Sequence, residues 1–272
     1  MRIGTRASAL ALAQATWVAD QIPGAELVTI SKQGPVDDKS RWVSELERAL
    51  LDGRIDIAVH SAKDVPSELP DGLELVAIPP RADPRDVVCG ATSLAALAPG
   101  ARVGTSSLRR AAQMKAIRPD IEVIELRGNV DTRLRKLADG EYDAIVVALA
   151  GLQRLGRAGE AGGVLDELVP AAGQGALAIE AKAGIRVGLA DPQATACVTA
   201  ERALVRVLGA SCHTSVGARA SISDKHTITL TGWVGAVDGS VWLRDELTGD
   251  EPEGLGTEVA RRMLAAGARD LL

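Results

Sequence analysis

The feature that most constrains this chain is an alternation. Short aliphatic runs at 2–5, 26–31, 55–60, 73–78, 85–89, 102–104, 122–126 and 144–148 are separated by helically spaced stretches at 8–21, 42–52, 106–118, 130–138 and 149–155. Runs of Val, Ile, Leu and Ala without a polar alternation suit strands covered on both faces, and the intervening helices supply the cover. The pattern predicts an α/β fold with parallel or mixed sheets. Two segments interrupt it. "IPPRADPRD" at 78–86 is proline-rich and reads as an interdomain crossing, and "VPAAGQGALAIEA" at 169–181 reads as a second crossing that leads into a strand. From Asp191 the texture changes to one long helix at 192–208, then strand-like "ITLTGWVGAVDGSVWLRDEL" with Asp238-Gly239 as a hairpin turn, then a closing helix at about 253–266. This last part reads as a smaller α+β domain.

Composition narrows the function. With no Phe and one Tyr, Tyr142, the core has to be aliphatic. A net charge of −5 argues against general nucleic-acid binding. No apolar stretch approaches the ~20 residues of a membrane span, so no membrane partner is expected. "MRIGTRASALALAQA" faintly mimics a secretory leader, but its apolar run is short and continues as an amphipathic helix with Trp17, Val18 and Ile22, so it reads as mature protein. Three cysteines, Cys89, Cys197 and Cys212, form an odd set without C-x-x-C spacing. That disfavours a disulfide framework or a zinc site and points to a reducing, cytoplasmic compartment with no metal.

In open α/β sheets ligands bind beyond the carboxyl ends of the strands. The strand ends here deliver Arg6 and Ser8; Ser61, Lys63 and Asp64; Thr105, Ser106, Ser107, Arg109 and Arg110; Arg127, Gly128, Asn129 and Arg133; and Arg154 on the helix after the last run. In "VGTSSLRR" Ser106 or Ser107 can cap the helix, and its first-turn N–H groups with Arg109 and Arg110 would make an anion site. A single arginine near a helix start is usually a solvated charge. Recurrence at several strand ends favours a ligand with several anionic groups, held by planar guanidinium forks. Asp64 is an ion-pair partner of Lys63 or a carboxylate placed beside a cationic intermediate. His60 reads as a structural hydrogen-bonder, and His213 carries no reading. Gly173-x-Gly175-x-x-Ala178 precedes a strand instead of following one and is not a dinucleotide fingerprint. Cys212, in the small-residue turn "GASCHTSVGA" between helix and strand, is buried filler, nucleophile, metal ligand or attachment point.

Taken together, "RIGTRASALAL", "IDIAVHSAKDVP", "DPRD", "VGTSSLRRAAQ", "LRGNVDTRLRKL", "YDAIVVALAGLQRLG", "PAAGQGALAIE", "TAERAL" and "GASCHTSVGA" resemble the porphobilinogen deaminase (hydroxymethylbilane synthase) family, in family order across nearly the whole chain. The resemblance implies two domains like type II periplasmic binding proteins, plus the smaller α+β C-terminal domain. It assigns 1–79 with 176–190 to a first domain holding the catalytic Asp, 84–170 to an arginine-rich second, and 192–272 to a third with the attachment cysteine. It implies a monomeric transferase that condenses four porphobilinogens head to tail, releasing ammonia, to give 1-hydroxymethylbilane. The primer is a covalent dipyrromethane, and the resemblance makes Cys212 its thioether attachment point. Asp64 matches the catalytic aspartate, and Lys63 a contact to cofactor carboxylates. Arg6, Arg109, Arg110, Arg127, Arg133 and Arg154 match cleft arginines, and Ser8, Ser61, Thr105, Ser107, Gly128 and Gln174 match hydrogen-bonding positions.

One stretch departs from the family pattern. "SKQGPVDDKSRWVSELE" is shorter than the usual mobile active-site loop and lacks its flanking glycines. Lys39 and Trp42 stand where a loop lysine and a phenylalanine are usual, which makes Trp42 a stacking platform for a pyrrole. Two other readings fit the arginines: a non-catalytic anion-binding module on the same fold, which leaves Cys212 unexplained, and another enzyme acting on a polyanionic small molecule.

Overall fold

A computed structural model describes residues 1–30, 39–211, 214–223 and 227–272, with the backbone alone over 39–42. The chain begins β1 (Arg2–Thr5), α1 (Ala9–Asp20), β2 (Glu26–Thr29), α2 (Lys39–Leu51), β3 (Ile57–Ser61), a 3-10 turn at Ala62–Asp64, and β4 (Leu73–Ala77). It crosses into β5 (Asp86–Cys89), β6 (Arg102–Gly104), α3 (Leu108–Ile117), β7 (Glu122–Ile124), α4 (Val130–Ala138), β8 (Ala144–Ala148), α5 (Leu149–Arg154) and β9 (Gly163–Leu165). It returns as β10 (Leu177–Lys182) and ends in α6 (Pro192–Leu208), β11 (Val216–Ile222), β12 (Ile228–Gly235), β13 (Trp242–Gly249) and α7 (Pro252–Ala265).

Two five-stranded sheets share one topology. The first has the order β2-β1-β3-β10-β4 and the second β7-β6-β8-β5-β9. In each, three strands run parallel, and the strand beside a crossing is inserted antiparallel next to the third. This duplication gives the two mixed α/β sheets expected from the sequence. Each sheet is apolar on both faces. Ile3, Val18, Val59 and Ile179 fill one side of the first, and Leu46, Leu50 and Ile55 the other. Val103, Met114 and Val146 fill one side of the second, and Leu126, Ile145 and Leu152 the other. Burial on two faces is why these strands read as continuous aliphatic runs.

The third sheet is antiparallel, β11-β12-β13. It buries one face, with Ala218, Leu230 and Val234 against Leu204 of α6 and Val259 and Met263 of α7. Helix α6 starts and stops on clear signals. Asp191 accepts from the Ala194 N–H at 2.7 Å, Pro192 takes the first turn, and Gly209 ends it at φ 67°. Trp233 of β12 packs with Ala112 and Val169, joining this sheet to α3 of the second.

Differences from the sequence reading are local. Strand β9 was not anticipated, because three residues next to glycine carry no usable period. Strand β2 ends at Thr29, earlier than expected, and α2 begins at Lys39 instead of at 42.

Candidate functional site

The carboxyl end of β3 turns directly into Ala62–Asp64. Ser61 accepts a hydrogen bond from Gln14 Nε2 of α1 at 2.8 Å. The Lys63 ammonium donates to Gln174 Oε1 at 3.2 Å, across from the returning crossing. Asp64 is half-buried beside it. The crossing approaches so closely that a Cβ on Gly173 would stand 3.0 Å from the Ala62 carbonyl carbon and the Lys63 nitrogen, and Gly173 has a φ of 71°. Glycine is therefore required there on two counts. Arg6 follows β1 and is half-buried, and Ser8 caps α1 through the Ala11 N–H at 3.3 Å.

The next wall is built at the start of α3. Buried Thr105 accepts from the Ser107 N–H at 3.2 Å, and Ser107 is the helix cap, accepting from the Arg110 N–H at 3.4 Å. Arg109 and Arg110, expected to form an anion site with the helix N-terminus, carry an internal anion in this structure. Both side chains are buried, and both already hold a carboxylate. Arg109 Nη2 donates to Asp86 Oδ2 at 2.9 Å and Nη1 to the Val169 carbonyl at 2.7 Å. Arg110 donates to Asp86 Oδ1 through Nη2 at 2.7 Å and Nε at 3.0 Å. Gln174 Nε2 adds a bond to the same oxygen at 2.7 Å. Burial pushes the Asp86 carboxyl up, but the two guanidiniums and these hydrogen bonds outweigh it and hold the group well below the usual carboxylate range. Arg109 Nε remains buried without a hydrogen bond among the described residues.

Beyond this network lie cations with no carboxylate partner among the described residues. Arg133 donates to the Gly128 carbonyl at 2.8 Å and to Ser106 Oγ at 3.1 Å. Arg154 donates to the Gly175 carbonyl at 2.6 Å. Burial, with Arg110 nearby, pulls Arg133 down to about 10, and burial alone pulls Arg154 to about 10. Both stay charged at neutral pH, so each is a desolvated cation that an arriving carboxylate would relieve. Arg127 differs. It is exposed and paired with Glu125 at 2.7 Å. Gly128 has a φ of 118° and offers its carbonyl to Arg133.

Sequence reasoning did not single out Asp86, Arg81 or Glu201. Glu201 of α6 is fully buried. It accepts from Arg81 Nη1 at 2.7 Å, from the Gly173 N–H at 2.7 Å and from the Ala220 N–H at 2.7 Å. It thereby ties the third sheet to both crossings. His60 is buried with Nε2 2.9 Å from Glu180 Oε2, but the hydrogen-bonding role expected of it is not seen among the described residues, where neither that nitrogen nor the Glu180 carboxylate has a hydrogen-bond partner.

Two of the three cysteines sit where burial disfavours the thiolate. Cys89 and Cys197 are buried free thiols, and burial pushes each up to about 11. Cys212 and His213 lie outside the described residues. Of the residues that flank them, the Ser211 N–H donates to Thr214 Oγ1 at 2.9 Å and the Thr214 N–H to the Ser211 carbonyl at 3.1 Å. Ser215 Oγ then donates to the Leu108 carbonyl at 3.5 Å, which sets this residue against the start of α3. Lys39 and Trp42 belong to the backbone of α2, and their side chains lie outside the described residues. Among the described residues no cluster of potential metal ligands occurs, and no helix is long and apolar enough to cross a membrane.

Comparison with known proteins adds the following. Residues 1–187 match the family model "Porphobilinogen deaminase, dipyromethane cofactor binding domain", and residues 195–265 match "Porphobilinogen deaminase, C-terminal domain". The chain is 45% identical over 299 residues to a porphobilinogen deaminase of Brevibacillus brevis, covering 100% of this chain and 96% of that one. It is 46% identical over 292 residues to one of Thermus thermophilus, covering 99% and 97%. Among solved structures it is similar to a periplasmic substrate-binding protein of an ABC transporter from Coxiella burnetii, at 14% identity over 67% of this chain and 85% of that one, with a TM-score of 0.43.

Proposed function

The chain belongs to the porphobilinogen deaminase family, and from that premise we propose which of its residues carry the head-to-tail condensation of four porphobilinogens into 1-hydroxymethylbilane. The supporting observation is the chain of contacts Lys63–Gln174–Arg110, which sets the Asp64 turn against the arginine-bearing wall of the second sheet. Asp64 is the catalytic carboxylate. Its negative charge stabilises the cation left on a porphobilinogen when ammonia departs, and it takes or relays the proton released when the new carbon–carbon bond forms.

The family's dipyrromethane supplies a nucleophilic pyrrole carbon and several carboxylates. The residues present fit such a group, because Arg133 and Arg154 are desolvated cations and Arg109 Nε is a buried donor without an acceptor among the described residues. Arg6, Lys63, Arg127, Arg133 and Arg154 receive carboxylates. Ser8, Ser61, Thr105, Ser107, Gly128 and Gln174 fix the backbone and side chains that present those cations. Arg109 and Arg110, locked on Asp86, keep the helix start in place and lend positive potential. Cys212 carries the cofactor, and Lys39 and Trp42 bind the incoming pyrrole. In this reading 1–79 with 176–190 provides the catalytic carboxylate, 84–170 the cationic wall, and 192–272 the attachment loop. A monomeric cytoplasmic enzyme without nucleic-acid or membrane partners accords with the net charge of −5 and the free thiols Cys89 and Cys197.

Single-turnover consumption of porphobilinogen by cofactor-loaded wild type and Asp64→Asn tests the assignment. A positioned proton-transfer group contributes ~10²–10⁴-fold in rate, so Asp64→Asn should fall by at least that order with cofactor still attached. Equal rates would remove Asp64 from the mechanism. No consumption by loaded wild type would favour an anion-binding module.

A further inference from the structure

Arg202 of α6 serves none of the roles described so far. Its guanidinium donates to three carbonyls in succession: Nη1 to Val65 at 3.1 Å, and Nη2 to Pro66 at 2.6 Å and Ser67 at 3.2 Å. These are the residues that immediately follow Asp64. Three consecutive carbonyls turned toward one point repel one another unless a cation sits there, and a planar guanidinium shares them between two nitrogens where an ammonium has only one. Pro66 has no N–H of its own with which to anchor the segment. The clamp also acts at close range, because the Val65 N–H closes the preceding turn on the Ala62 carbonyl at 3.3 Å.

The residue before it in α6 reaches the same turn through the returning crossing. Glu201 accepts from the Gly173 N–H at 2.7 Å. Gly173 presses on Ala62 and Lys63, and Gln174 accepts from Lys63. Two successive residues of one helix thus reach the Asp64 turn, Arg202 directly through the carbonyls after it and Glu201 through Gly173. That helix ends at Gly209, three residues before Cys212 in the sequence.

We propose that Arg202 is a positioning residue for Asp64, fixing the carboxylate relative to the reacting carbon through the carbonyls of Val65, Pro66 and Ser67. The proposal rests on Asp64 being the catalytic carboxylate. A displacement of about 1 Å at a reacting group costs on the order of 10²-fold in rate. A residue that only fastened α6 to the first sheet would change stability and leave the rate per loaded molecule intact.

The test uses full-length protein loaded with preformed tetrapyrrole, its cofactor content checked by mass. Arg202→Met, Arg202→Lys, Asp64→Asn and the double variant Asp64→Asn/Arg202→Met are compared in single-turnover and steady-state porphobilinogen consumption. Expected are a loss of about 10-fold or more in kcat for Arg202→Met with KM within about twofold, as for an interaction expressed in the transition state. Arg202→Lys should recover part of that loss, and Arg202→Met should cost less when Asp64 is already Asn. An unchanged kcat in Arg202→Met with only a lowered melting temperature would overturn the proposal, and so would full additivity in the double variant. If Arg202→Met does not fold, Arg202→Lys in the same cycle decides by the same criteria. Failure of the underlying reading looks different: Asp64→Asn alone would then turn over normally, whatever Arg202 does.

Discussion

Replacing Asp86 by Asn perturbs the most heavily buried charge cluster near the site. Asp86 is fully buried and accepts from Arg109 Nη2, from Arg110 Nη2 and Nε, and from Gln174 Nε2, at 2.7–3.0 Å. Asn keeps the volume but removes the charge and turns one acceptor into a donor facing a guanidinium. Arg109 and Arg110 would then face each other without their counter-charge. Breaking a buried ion pair by removing one partner costs about 3–5 kcal/mol, a large share of the ~5–15 kcal/mol that holds a domain together. Because the chain contains three separate sheets, one global unfolding energy is a poor measure. Amide hydrogen exchange resolved by segment is the suitable assay. Protection in β5, β8 and α3 should drop by about 3 kcal/mol or more at pH 7, while α7 and β13 stay near wild type. The pH dependence has a definite sign. The folded pKa of Asp86 is depressed, so on acidification the unfolded chain, with an ordinary value of about 3.9, takes up its proton first. The carboxylate's contribution is complete above about pH 5 and declines below about pH 4. The gap between wild type and Asp86→Asn should therefore narrow toward pH 3. Protection of α3 and β5 within about 1 kcal/mol of wild type at pH 7 would refute this reasoning, because it would mean the arginines find other anions at no cost.

Three further outcomes follow from the same geometry. Gly239→Ala forces a Cβ to 2.6 Å from the Ala116 nitrogen and 2.8 Å from the Ala112 carbonyl oxygen, at a φ of 78°. It should cost about 1–3 kcal/mol by lifting the β12–β13 hairpin off α3, read as a lowered melting temperature. Arg154→Met removes a cation that burial already pulls to about 10. Apoprotein stability should change by less than about 1 kcal/mol, while preformed tetrapyrrole should bind weaker by the ~1.5–3 kcal/mol of a charge-assisted hydrogen bond, measured by calorimetry. Native protein treated with iodoacetamide at pH 8 should carry no label on Cys89 or Cys197, whose thiols are pushed up to about 11, as peptide mass mapping would show.

What the sequence disclosed depended on the range of each interaction. Strands such as β6 and β8 and helices such as α4 and α6 were read at or near their true ends, because local periodicity and caps such as Asp191 act within a few residues. The arginines were legible as cations at strand ends, but the partner of Arg109 and Arg110 was not. Asp86 comes beside them only because β5 is inserted antiparallel between β8 and β9, a fact of topology. Glu201 was missed for a related reason. A glutamate in an amphipathic helix normally faces water, whereas α6 is wedged between the third sheet and the two crossings and buries it completely. Lys63 was legible at a strand end and Gln174 only through the family resemblance; the structure places the two, distant in sequence, in direct contact.

The central claim is that this chain builds a tetrapyrrole on a cofactor held by Cys212. Intact mass of the purified protein tests it most directly, after incubation with porphobilinogen or preformed tetrapyrrole where needed. The account predicts a mass above that of the polypeptide by two linked pyrrole units. The excess should be lost in Cys212→Ser and kept in Cys89→Ser and Cys197→Ser. A bare polypeptide mass for wild type after that incubation, or a pyrrole adduct that persists in Cys212→Ser, would contradict it.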